Sequence, residues 1–155
     1  MADNYSQWSE SIVISNEEAA WFEQVLSLNF DDTEDQEDAL NAFEAKLSAL
    51  GVEVTLEDEC WPDFEYEINN NGDSKELYVY SEEYGSLDNL SSVIAGFIIK
   101  FRPDYIFSLT YAETCSRPRP SEFSGGAMIV TATETYYHNA FTWVQEKLKT
   151  LKPSA

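Results

Sequence analysis

Residues 64–80 read Phe64-Glu65-Tyr66-Glu67-Ile68-Asn69-Asn70-Asn71-Gly72-Asp73-Ser74-Lys75-Glu76-Leu77-Tyr78-Val79-Tyr80. Phe64 to Ile68 and Glu76 to Tyr80 both alternate apolar with polar side chains, the period of a strand with one buried face. Between them Asn69-Asn70-Asn71-Gly72-Asp73 is turn chemistry, rich in residues that tolerate the left-handed backbone of tight hairpins. A hairpin is antiparallel by construction, so this stretch places the chain among proteins built on an antiparallel sheet.

Toward the N-terminus, Gln7 to Ile14 alternates and ends in Ile12-Val13-Ile14, a further strand. Ser15 followed by Glu18 is a capping box that starts a helix at Asn16. Ala19, Trp21, Phe22, Val25, Leu26 and Leu28 form its apolar face. A second helix is expected from about Asp35 to Leu50, with Leu40, Phe43, Leu47 and Leu50 inward and Gly51 placed to end it. Val52 to Leu56 alternates as another strand.

Toward the C-terminus, Ser86 with Asn89 opens a third helix. Its broad face is Leu87, Leu90, Val93, Ile94, Phe97, Ile98 and Phe101, and Pro103 stops it. Tyr105–Tyr111 and Ala127–Thr133 read as strands, joined by a loop from Cys115 to Gly126 rich in Pro, Gly and Ser. A last helix from about Asn139 to Leu151 is expected to turn Phe141, Val144, Leu148 and Leu151 inward. Together these elements predict one α+β domain over residues 1–155. Its core would be a mostly antiparallel five- or six-stranded sheet with about four helices packed on it.

Hydrophobic residues make up 43% of the 155 and aromatic ones 14%, enough for a substantial core. No run approaches the 18 apolar residues of a membrane span, and the opening MADNYSQWSE is polar and acidic. A cytoplasmic protein with no membrane partner is therefore expected.

The net charge is −20 and it is unevenly placed. Residues 1–88 hold 24 acids against two lysines, a net −22, whereas residues 89–155 hold five acids against seven Lys and Arg, a net +2. A halophilic surface would spread its acids over the whole chain. The sharper reading is capture of a basic, nucleic-acid-binding protein by a surface that mimics nucleic acid, with no direct binding to nucleic acid. At one charge per roughly 1.7 Å of B-DNA, −22 corresponds to about 37 Å of duplex. Candidate binding residues are Asp31, Asp32, Glu34, Asp35, Glu37 and Asp38 in one region and Glu53, Glu57, Asp58 and Glu59 in another. An acidic structural or regulatory protein without mimicry is the alternative, and a hydrolase using carboxylates is a third.

The chemistry of catalysis leaves few marks. No P-loop, Rossmann glycine pattern or GxSxG occurs, and counting from Asp31 the sixth and twelfth positions of a calcium loop are Gln36 and Ala42. Two cysteines, Cys60 and Cys115, and one histidine, His138, are too few for structural zinc, so no metal or cofactor is expected. Free cysteines favour burial, although a Cys60–Cys115 disulfide stays open. A Cys115–His138 nucleophile and base would need the fold to join them.

The loop after Cys115 offers a possible second contact. Pro118 and Pro120 stiffen the chain around Arg117 and Arg119, Glu122 follows, and Gly125-Gly126 permit close backbone approach. These arginines would otherwise pair with acids of the body. The stretch Thr114–Ala127, TCSRPRPSEFSGGA, followed by a Val130-Thr131-Ala132 strand and an aromatic-containing terminal helix, resembles a family of uncharacterised proteins encoded on bacterial phages and mobile elements. The resemblance implies a setting of conflict between mobile DNA and host, and brings no catalytic residues with it.

Overall fold

A computed structural model describes residues 3–30, 35–120 and 122–151. The chain runs β1 (Asn4–Ile14), α1 (Asn16–Leu26), α2 (Gln36–Ala49), β2 (Glu65–Asn71), β3 (Ser74–Ser81), α3 (Leu87–Phe101), β4 (Phe107–Cys115), β5 (Ser124–Val130), β6 (Thr135–Asn139) and α4 (Ala140–Leu151). The six strands form one sheet in the order β2-β3-β1-β4-β5-β6, and every pairing is antiparallel. The α+β architecture read from the 64–80 hairpin is therefore the observed one.

Local chemistry explains the element boundaries. Ser15 Oγ accepts from the Glu18 amide while the Glu18 carboxylate accepts from the Ser15 amide, closing the capping box of α1. Asp35 caps α2 and Ser86 caps α3 through the first of these bonds alone, accepting from the Asp38 and Asn89 amides. Gly51 follows α2 with φ +95°, a left-handed backbone suited to glycine. The β2–β3 turn is tight, with Asn71 opposite Ser74 and Gly72 at φ +63°.

One face of the sheet is the core. Trp8, Ile12 and Ile14 of β1, Leu77 and Val79 of β3, Phe107 and Leu109 of β4, and Met128 and Val130 of β5 are buried. Against them pack Phe22, Val25 and Leu26 of α1, Phe43 and Leu47 of α2, and Leu90, Ile94 and Phe97 of α3. Two indoles tie helix ends to neighbouring segments: Trp21 donates to the Leu50 carbonyl and Trp61 to the Val25 carbonyl, each at 2.9 Å. The other face of the sheet, with Gln7, Ser9, Ser11, Val13, Ser108, Thr110, Ile129 and Tyr136, is exposed. No helix among the described residues is long and apolar enough to cross a membrane.

Four expectations are corrected. Val52–Leu56 is not a strand. Val52 and Leu56 do turn inward, but the Leu56 amide donates to the Glu44 carboxylate at 2.8 Å, and among the described residues the segment pairs with no strand. β6 occupies residues for which no strand was expected. The loop after β4 ends earlier than its composition suggests, because Gly125 and Gly126 belong to β5. A Cβ on Gly125 would sit 2.7 Å from the Tyr111 carbonyl, and one on Gly126 would collide with the carbonyl of His138, so both glycines serve close strand packing. Finally, α4 buries none of its side chains, and Phe141, Val144, Leu148 and Leu151 are exposed.

Candidate functional site

The connection from β3 to α3 is held from three sides. The Ser6 amide donates to the Glu83 carbonyl at 2.6 Å, Ser81 Oγ donates to the Ser6 carbonyl at 2.6 Å and accepts from Gly85 N at 2.7 Å, and Ser86 N donates to the Asp63 carbonyl at 2.9 Å. These bonds fix Glu82, Glu83 and Tyr84 between the start of β1 and the loop preceding β2. Asn89 Nδ2, donating to the Pro62 carbonyl, fastens that loop to the first turn of α3.

Three hollows adjoin along this seam. The first takes Glu57, Asp58, Asp63 and Asp88 into its walls. The second, about 520 Å³, is lined by Asp63, Glu65, Glu82 and Glu83 together with Phe64, Tyr80 and Tyr84. The third, about 560 Å³, has Glu83, Glu113 and Glu122 beside Tyr5, Tyr84 and Phe141. Cys60 and Asp63 line both the first and the second, and Glu83 and Tyr84 both the second and the third. The result is a groove with nine carboxylates and, among the described residues lining it, no Lys or Arg.

Desolvation and neighbouring carboxylates act on several groups that line the groove. Burial raises the Asp63 carboxyl, and Asp58 pushes it the same way, against the hydrogen bond Asp63 accepts from the Cys60 thiol at 3.5 Å. The Cys60 thiol, exposed but partly desolvated, is itself raised by that desolvation and by Asp63 and Asp58. Tyr80 is raised by desolvation and by Glu67, Glu65 and Glu82, and Tyr5 by desolvation, Asp3, Tyr84 and Glu83. The aromatic end is open, with the Tyr5 and Tyr84 rings 6.4 Å apart. Such an arrangement suits cations: carboxylates supply charge, and ring faces attract a guanidinium or ammonium group.

Among the described residues one ion pair occurs, between Arg102 and Glu18, away from the groove. Arg117 and Arg119 are exposed and make no ion pair among the described residues; the loop is tied at its base instead, by Ser116 and Asp3 exchanging two hydrogen bonds of 2.8 Å. No three described His, Cys, Asp or Glu side chains are grouped to hold a metal ion.

Of the acids singled out in sequence, Glu57, Asp58 and Glu122 line the groove. Asp35, Glu37 and Asp38 instead sit at the start of α2, where Asp35 caps the helix and the other two favour its positive end. Glu53 accepts from Ser48 Oγ at 2.7 Å, and Glu59 is exposed outside the groove lining. Asp31, Asp32 and Glu34 lie outside the described residues. The groove adds Asp63, Glu65, Glu82, Glu83, Asp88 and Glu113, which come from separate segments and share no sequence pattern. Cys60 and Cys115 are free thiols, Cys60 exposed rather than buried. Cys115 and His138 are not brought together: β5 separates their strands, and alternation from buried Tyr111 and Met128 puts them on opposite faces. Compared with protein-family models, curated proteins and solved structures, the chain matches none.

Proposed function

We propose that this protein is a binding module whose acidic groove captures an extended basic segment of a partner protein. The observation that carries the reading is the run of three adjoining hollows with nine carboxylates and no lining cation among the described residues. A concave, negative channel focuses its field and speeds encounter with a cation-rich chain. Basic arms of that kind are common in nucleic-acid-binding proteins, where they contact phosphates. Carboxylates in the groove would occupy the same side chains, so the mimicry lies in charge and competition rather than in the convex shape of a duplex. In this proposal the partner belongs to the conflict between mobile DNA and host that the sequence of residues 114–127 suggests.

The test is titration with an arginine-rich peptide, read by fluorescence anisotropy. Glu65→Gln, Glu82→Gln, Glu83→Gln and Glu113→Gln together should weaken binding at least about tenfold and flatten its salt dependence. Glu37→Gln with Asp38→Asn removes two acids outside the groove and should change affinity little. Equal loss from both variants would reduce the groove to bulk charge, and binding indifferent to salt would sink the reading.

A further inference from the structure

The two edges of the sheet are treated differently. β2 at one edge carries Glu65 and Glu67 and ends in three asparagines, so a second copy of the same strand would meet like charge. β6 at the other edge reads Thr135-Tyr136-Tyr137-His138-Asn139, with no formal charge, and pairs only with β5. Thr131 N donates to the Glu134 carbonyl at 2.9 Å, which sets the phase of the β5–β6 ladder. By alternation Thr135, Tyr137 and Asn139 aim their backbone groups away from β5. Edge strands are usually blunted by charge, proline or a covering element, and among the described residues β6 has no charge or proline and no strand on its outer side.

Beside this open edge lies α4, which touches the body chiefly along β5 and β6. Val144 and Leu148 share an exposed apolar stripe with Leu151, which is 67% exposed. Electrostatics decides what can cover it. In a molecule of net −20, residues 123–151 hold Glu134 and Glu146 against Lys147 and Lys149, so the segment that builds this end is itself neutral, with Asp88 at Tyr137 and Glu113 and Glu122 at its margin. It is the part of the surface that two strongly negative copies can bring together with least repulsion.

We propose that β6 and α4 form a two-fold interface between two copies of this chain. Pairing β6 with itself about Tyr137 sets Thr135 opposite Asn139 of the other copy and uses the outward backbone groups of Thr135 and Tyr137 and the N–H of Asn139, whose side chain caps α4 and whose carbonyl opens that helix. An isologous strand pair needs no second complementary surface. The apolar stripes of the two α4 helices then cover each other. This interface adjoins one end of the acidic groove, where Asn139 and Phe141 line the third hollow, and salt separates the two readings: screening weakens capture of a cation but relieves repulsion between two −20 bodies.

Sedimentation velocity of the full chain over a range of protein and salt concentrations tests this. The expected species has twice the 17.7 kDa of one chain, with its share rising as salt is added. Val144→Glu with Leu148→Glu, and separately Tyr136→Lys, should each raise the dimer dissociation constant at least about tenfold while circular dichroism stays that of the folded monomer. A monomer at every concentration and salt overturns the proposal, as does a dimer that both variants leave intact. A monomer that instead co-sediments with phosphatidylserine vesicles would give the helix to a lipid surface and overturn it too.

Discussion

Glu18 is only 5% exposed, and burial by itself would raise its carboxyl. The hydrogen bonds it receives outweigh that cost: Arg102 Nε and Nη2 donate to its two oxygens at 2.8 Å each, and the Ser15 amide adds a third. Its carboxyl is therefore held below the usual range. Arg102 also donates to the Val13 carbonyl at 2.9 Å and lies over the rings of Phe97 and Tyr105, joining β1, α1 and α3. Arg102→Ala should cost about 3 kcal/mol in urea denaturation, because it strands a buried charge, and Glu18→Gln less. The acid limb of stability follows from the same pair. A lowered carboxyl gives stability that is present above the ordinary range and is lost as pH falls through the lowered value. Asp63, raised by burial and Asp58, acts in the opposite sense: its ionisation costs stability as pH rises through the raised value. On acidification from neutrality the melting temperature should first rise as Asp63 takes up its proton, then fall as Glu18 does. Asp63→Asn should remove the rise and leave the fall; a curve unchanged by that substitution would contradict the assignment.

Among the elements, those whose signal was local were legible. The capping box of α1, Gly51 and the spacing of Phe97 in α3 are each specified by residues a few positions apart, and Phe97 is fully buried as its phase predicts. Elements whose own pattern misstates their pairing were not. Val52–Leu56 has a strand's alternation but pairs with no strand among the described residues, and β6 has a partner but little alternation. An amphipathic stripe states that a face seeks burial and not what will bury it, which is why α4 carries the pattern of a packed helix while exposed. The contrast is measurable. Phe97→Ala should cost about 3–5 kcal/mol, whereas Leu148→Ala, exposed in the monomer, should stay within about 0.5 kcal/mol when measured at protein concentrations too low for association. Similar losses from both would mean that α4 packs on the body.

At the scale of the molecule, the excess of acids was plain in the sequence, but their grouping was not. Runs such as Asp35, Glu37 and Asp38 draw the eye because they are contiguous, yet they serve a helix start. The groove assembles Asp63, Glu83 and Glu113 from three segments through hydrogen bonds that only the folded chain makes. Nine carboxylates around one channel with no lining cation among the described residues are a standing repulsion within the native state. An unfolded chain spreads the same charges apart and escapes most of it. Added sodium chloride should therefore stabilise the fold: the urea midpoint should climb as ionic strength shortens the reach of each charge. The Glu18–Arg102 pair, whose carboxylate is shielded from solvent, should lose less over the same range. The quadruple variant Glu65→Gln, Glu82→Gln, Glu83→Gln and Glu113→Gln should start from a higher midpoint than the native protein and respond less to salt. A site kept for binding is commonly held at some cost in stability, so the variant that binds the basic peptide least should also be the one that resists urea best. If instead the native midpoint falls with salt, attractive pairs dominate the surface field and the groove is not the seat of its repulsion.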